Sequence, residues 1–205
     1  AHRVSLRTVG EHQVSNAVAA AAAASCALTR ASNRKADPDR VARSLNQATT
    51  RSPLRMQIEE RSDGLVLVND CYNANPDSMA AALRTVGDIL TRRADSDPHT
   101  RGVAVLGDML ELGEQSAQRH RDVGELAVSR GFDEILCIGQ YAEDLAAGAT
   151  SAGGRARVVT ADEAADAVGW SGHDVVLVKA SRGLELERVS EGILADDVHE
   201  QGAQQ

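Results

Sequence analysis

Four short runs, residues 65–68 (LVLV), 102–106 (GVAVL), 135–138 (ILCI) and 175–178 (VVLV), are apolar at almost every position. Runs of four or five such residues are too short for helices and suit strands buried on both faces. Between them lie segments with helical spacing. Residues 77–91 place Met79, Leu83, Val86 and Leu90 on one side, and helices are also expected over 116–130, 141–149, 161–168 and 186–194. A further short strand is expected over 156–159. Strands alternating with helices require crossover connections, so the expected fold is α/β: a Rossmann-like, mostly parallel sheet with helices on both faces. Residues 55–60 and 65–69 flank the turn RSDG and form a hairpin.

The first part of the chain reads differently. Residues 9–28 form an Ala-rich helix suited to close packing against a sheet, and 37–45 a second helix opened by Asp37 and Pro38. The polar connector 47–53 (QATTRSP) is the best domain boundary, giving units 1–50 and 51–205. The tail, 196–205, is polar and expected to fray.

In a parallel sheet, ligands bind outside the carboxyl ends of the strands. Three polar loops follow strands here. The first, in the stretch GLVLVNDCYNANPDSM (64–79), carries Asp70, an acceptor for ribose hydroxyls or cations, and Tyr72. Asn73 and Asn75 there can fix a ligand or the loop itself, while a plain turn before a helix capped around Asp77 and Ser78 accounts for the same residues. The second, GDMLELGE (107–114), offers Asp108, Glu111 and Glu114 to an ammonium or a metal, or to the cap of the next helix. The third, KASRG (179–183), sets the cations Lys179 and Arg182 beside Ser181, which makes either a carboxylate or phosphate pocket or a salt-bridged loop. His12 and Asn16 share a face in the first turn of the first helix, as ligand contacts or as cap. His120 has no second His or Cys at ligand spacing, so no metal site is assigned.

Composition narrows the classes. Of 205 residues 42% are hydrophobic and only 2% aromatic, so the core is built from Ala, Val, Leu and Ile. Residues 1–60 carry nine Lys or Arg against five Asp or Glu, the rest 13 against 25, for a net charge of -8. An acidic body with few aromatics excludes nucleic acid as the expected partner. Three cysteines, Cys26, Cys71 and Cys137, far apart and odd in number, suit a reducing, cytoplasmic setting. No membrane-spanning run and no leader is read, and the abrupt start without Met suggests a fragment.

Four segments in order, GEHQVSNAVAAAA (10–22), NDCYNANPDSM (69–79), GDMLELGE and VKASRGLELE (178–187), resemble the Mur ligase family, in its D-alanyl-D-alanine-adding branch. That branch carries the signature DxYNANPxSM. The resemblance implies an ATP-dependent amide-bond-forming ligase that adds D-Ala-D-Ala to UDP-N-acetylmuramoyl-tripeptide in peptidoglycan precursor synthesis, working as a monomer. It implies ATP contacts at His12, Asn16, Arg55, Asp70 and Asn73, and substrate contacts at Tyr72, Asn75, Asp108, Lys179, Ser181 and Arg182. Gln13 stands where the family pattern HNxxN has Asn, and Ala180 where KGSRG has Gly. No GxxGxGK[ST] loop is present, so the family's phosphate loop and Mg2+ ligands are expected upstream of Ala1, with residues 1–50 as the end of the central ATPase domain. The competing expectations are a noncatalytic Rossmann-type nucleotide- or dipeptide-binding module, or a sister ligase joining another amino acid.

Overall fold

A computed structural model describes residues 3–6, 12–48 and 54–195; of His12 only the backbone is described. The expected helix start at 9–11, the connector positions 49–53 and the tail 196–205 lie outside the described residues. Two compact units are present, Ala1–Ser52 and Pro53–Gln205.

In the first unit α1 (His12–Ser32) pairs with α2 (Pro38–Gln47). Asp37 caps α2, its carboxylate accepting from the Asp39 N–H, with Pro38 in the first turn where a missing N–H costs nothing. No strand is found among the described residues of this unit, and Val14 and Val18 stay 57% and 64% exposed. They line an open apolar groove with Val4, Leu6 and Leu45.

The second unit holds a six-stranded sheet: β1 (Gln57–Glu60), β2 (Val66–Asn69), β3 (Arg101–Gly107), β4 (Glu134–Ile138), β5 (Arg155–Val158) and β6 (Asp174–Lys179). The order is β1-β2-β6-β3-β4-β5, parallel throughout except for the β1–β2 hairpin. Helices α3 (Pro76–Ala94), α4 (Ser116–Ser129), α5 (Ala142–Ser151) and α6 (Glu187–Ala195) connect or follow the strands.

The side-chain alternation of each strand explains the continuous apolar runs. Val68, Ala104, Leu106, Ile135, Cys137, Val175 and Leu177 face one core, shared with Met79, Leu83, Val86 and Leu90 of α3, Val123 of α4 and Leu145 of α5. Leu67, Val103, Val105, Leu136, Val176 and Val178 face the other, covered by Leu186, Val189 and Ile193 of the α6 region and by Trp170. Central strands with both faces covered have no polar side to show.

Two local expectations are corrected. Residues 161–168 form successive turns rather than a helix. Their backbone bonds are mostly of the short three-residue kind, such as Asp166 N–H to Glu163 O and Ala167 N–H to Ala164 O, and the Trp170 indole takes the Ala165 carbonyl that a continuing helix would need. The cap of α3 is Asn75, not Asp77 or Ser78: the Asn75 side chain accepts from Ser78 N–H, and Ser78 Oγ accepts from Asn75 N–H, a reciprocal box.

Helices α4 and α5 pack against each other with glycine at the close approach from both sides. A Cβ on Gly124 would stand 2.1 Å from the Leu145 carbonyl oxygen, and one on Gly148 2.0 Å from that of Arg121. Helix propensity alone favours Ala over Gly by about 1 kcal/mol. Gly124→Ala should nevertheless lower unfolding stability by about 1–3 kcal/mol, because backbone cannot yield as a side-chain tip can; an unchanged denaturation midpoint would show that the helices separate freely.

Candidate active-site edge

Strands β2, β6 and β3 are neighbours and parallel, so the loops that follow them emerge side by side on one edge. The edge is organised by a lysine. Lys179, the last residue of β6, is 1% exposed, and its Nζ lies 2.6 Å from Asp70 Oδ2 and 2.8 Å from the Asn73 carbonyl. Its third contact is the Asp70 carbonyl at 3.5 Å. The other carboxylate oxygen, Asp70 Oδ1, accepts the Met56 N–H at 3.0 Å, and Asp70 N–H bonds the Val178 carbonyl. One carboxylate therefore ties together the segment before β1, the loop after β2 and the end of β6.

The rest of that loop is similarly bound. Cys71 donates from its backbone to Asn69 Oδ1, and its thiol bonds the Val178 carbonyl. Burial, with the charges of Glu187 and Asp70 nearby, pushes this thiol up to about 12, so it is no nucleophile. Tyr72 and Asn73 are exposed; the Arg55 guanidinium lies over the Tyr72 ring, 4.0 Å from its centroid. Asn73 Oδ1 accepts the Ala74 N–H, and Asn75 Oδ1 is committed to the α3 cap.

A second brace joins β3, β4 and β6. The Asp108 carboxylate accepts the N–H groups of Gln140 (2.8 Å) and Tyr141 (2.9 Å) at the start of α5. Gly139, at φ 111, lets it approach: a Cβ there would collide with the Asp108 carboxylate at 2.5 Å. The Asp108 carbonyl accepts from Ser181 N–H, and Ser181 Oγ accepts from Leu110 N–H. His120 is fully buried; its Nε2 accepts from Met109 N–H and its Nδ1 donates to the Ser116 carbonyl, which requires the Nδ1–H tautomer. Tyr141 stacks on it at 4.6 Å.

This geometry changes several assignments. Lys179 is not a free cation for an incoming carboxylate, because it is buried and already paired with Asp70. Asp108 and Ser181 are likewise bonded to backbone groups and buried to 5% and 4% exposure. Arg182 stays exposed but pairs with Glu187 at 2.6 Å. Asn16, in the other unit, is exposed and bonds Gln13; the His12 side chain lies outside the described residues. Among the described residues no group of three or more His, Cys, Asp or Glu is placed to hold a metal.

Sequence reasoning missed Leu54, Met56 and Glu187, the first two because their contribution is backbone, which side-chain identity does not advertise. The alanine at position 180 is explained by the fold. Ala180 does not adopt a positive φ, and its methyl sits where a Cβ on Gly107 would meet it at 2.8 Å. The glycine of one loop thus accommodates the extra methyl of the other.

The Mur ligase, glutamate ligase domain profile matches residues 54–182. A protein of Mycobacterium tuberculosis (strain ATCC 25618 / H37Rv) named UDP-N-acetylmuramoyl-tripeptide--D-alanyl-D-alanine ligase is 35% identical, covering 95% of this chain and 40% of that protein. One of the same name from Bacillus subtilis (strain 168) is 29% identical, covering 91% and 38%. Among solved structures, MurF from Acinetobacter baumannii superposes with a TM-score of 0.70 at 28% identity, over 93% of this chain and 39% of that one. The MurF ligase of Thermotoga maritima in complex with ADP gives 0.56 at 26%, over 82% and 35%. The chain spans about two fifths of the length of the curated relatives it matches most fully. Because the matched segment takes in every strand of the sheet and the loops that Asp70 and Lys179 join, the chain belongs to the Mur ligase family.

Proposed function

We propose that this chain is the carboxy-terminal portion of an ATP-dependent amide-bond-forming ligase that adds D-Ala-D-Ala to UDP-N-acetylmuramoyl-tripeptide. The observation that carries this reading is the meeting of the NDCYNANP and KASRG loops through Asp70 and Lys179, in a chain 35% identical to relatives bearing that name. Residues 1–50 then belong to the central ATP-binding domain and 51–205 to the carboxy-terminal domain of a cytoplasmic, monomeric enzyme. The phosphate loop and the magnesium ligands belong to the part of the relatives' length that this chain does not span.

In the reaction the tripeptide carboxylate takes the γ-phosphoryl group of ATP, releasing ADP and leaving an acyl phosphate. The neutral amine of D-Ala-D-Ala attacks the acyl carbon, phosphate leaves, and the amine gives up a proton. An acyl phosphate survives only where water is excluded, so the sheet edge described above serves as one wall of a closed site. Stacked on Tyr72, the Arg55 guanidinium keeps its in-plane N–H groups available for phosphate oxygens. Asp70 has lone pairs left beyond Met56 and Lys179 and can share one with a ribose hydroxyl. Asn73 is a further nucleotide contact of this unit; His12 and Asn16 are, separately, the nucleotide contacts proposed for the first unit. Arg182, Tyr72 and the amide NH2 of Asn75 are the groups left for the dipeptide, Arg182 exchanging Glu187 for its carboxylate. Lys179, Asp108 and Ser181 hold these groups in place.

The 205-residue chain alone should release phosphate from ATP only at background when tripeptide and D-Ala-D-Ala are supplied. A protein that also carries the coding sequence upstream of Ala1 should turn over, and that sequence should encode a Gly-rich phosphate loop. Turnover by the chain alone would overturn the assignment of the parts.

In the active protein Arg55→Ala should raise the KM for ATP more than that for D-Ala-D-Ala, and Arg182→Ala the reverse. Equal effects on both substrates would remove the division of labour proposed for the two arginines.

Asp70→Ala should cost about 3–5 kcal/mol of stability, because it strands a buried ammonium. Thermal unfolding of the isolated chain reads this directly, and an unchanged melting temperature would show that water reaches Lys179.

A further inference from the structure

Arg55 occupies an unusual stretch of backbone. Its two neighbours, Leu54 at φ 60 and Met56 at φ 47, both adopt the left-handed region that non-glycine residues rarely enter. Such conformations persist only where the surroundings over-determine them. The loop after β2 supplies three restraints, beside the Leu54 N–H bond to Gln57 Oε1 and the packing of Met56 on the core. The Met56 N–H donates to Asp70 Oδ1, the Leu54 carbonyl accepts the Tyr72 N–H at 3.0 Å, and the Tyr72 ring lies under the Arg55 guanidinium. Arg55 is exposed and takes part in none of the ion pairs found among the described residues. Asp70, in turn, is aimed by Lys179, which grips the same loop a second time at the Asn73 carbonyl. Both ends of the Asp70–Asn73 segment are thereby fixed to β6 by one ammonium group.

We infer that Lys179 is a positioning residue for Arg55: acting through Asp70, it holds the 54–56 segment in its left-handed conformation and so sets where the Arg55 guanidinium stands over Tyr72. The inference rests on the proposed function for what Arg55 receives, an oxyanion of the phosphate class, and on geometry alone for the coupling. A lysine that only stabilised the core would leave the Arg55 side chain indifferent to its replacement.

Nuclear magnetic resonance of the 15N-labelled 205-residue chain separates these cases. The Arg55 Nε–Hε cross-peak should be shifted by the ring current of Tyr72, and pyrophosphate should perturb it. In Lys179→Met the ring-current shift should collapse toward the value of free arginine and the pyrophosphate response should be lost, while the Val175 and Leu177 methyl resonances and a cooperative melt persist. An unmoved Arg55 cross-peak in the folded variant overturns the inference. If Lys179→Met does not fold, Asp70→Asn is read instead. Its amide can accept from Lys179 or from Met56 with its single oxygen suitably aimed at only one of them, so the ring-current shift should again fall. Failure of both variants to fold overturns the inference, since the pair is then a folding element and not a positioning one. A wild-type cross-peak indifferent to pyrophosphate, combined with collapse in Lys179→Met, supports the coupling and refutes only the oxyanion role of Arg55.

Discussion

An ammonium group removed from water costs several kcal/mol unless an opposite charge and further acceptors replace its hydration. Lys179 meets that demand with Asp70 and two main-chain carbonyls, at 1% exposure, and the requirement fixes much else. The loop after β2 must curl back over the end of β6 to bring those acceptors to Nζ. The carboxylate, once drawn in, has an oxygen to spare for the Met56 N–H. The segment leading into β1 is anchored by that oxygen. A charge that would be a liability in the middle of the sheet becomes, at its end, the fastener of three separate pieces of chain.

The edge as a whole divides into groups that hold and groups that reach. Lys179, Asp108, Ser181 and His120 are all buried and all satisfied by partners inside the protein. Arg55, Tyr72, Asn73 and Arg182 are exposed above them. The two classes belong together, because side chains on loops are precise only when the loops cannot move. The glycines serve the same end. Gly139 admits the Asp108 carboxylate to the start of α5, and Gly107 admits the Ala180 methyl, so that the loops after β3, β4 and β6 approach closely.

The two faces of the sheet show the same economy. With only 2% aromatic residues, the chain fills both cores mainly from Val, Leu, Ile and Ala, with Met79, Met109, Phe132 and Trp170 as the larger exceptions, and brings backbones close. The approach of Gly124 and Gly148 across α4 and α5 is the clearest instance.

Sequence periodicity alone determined the parallel sheet, the four helices packed on it in all but their end residues, and the three loops on one edge. These follow from local spacing: an apolar run of four residues between helical segments has few other places to go. The loop residues were also visible as candidates, since Asp70, Lys179 and Arg182 are conspicuous charges at strand ends. What each charge does was decided by tertiary structure. Whether Lys179 meets a ligand or Asp70 depends on the adjacency of β2 and β6, which are separated by more than a hundred residues of chain. The conversion of 161–168 from a helix to turns was likewise decided by Trp170 docking onto Ala165, a packing event with no local signature. The left-handed Leu54 and Met56 carry no glycine or asparagine to announce them, because their strain is sustained by hydrogen bonds from a loop that the sheet brings alongside.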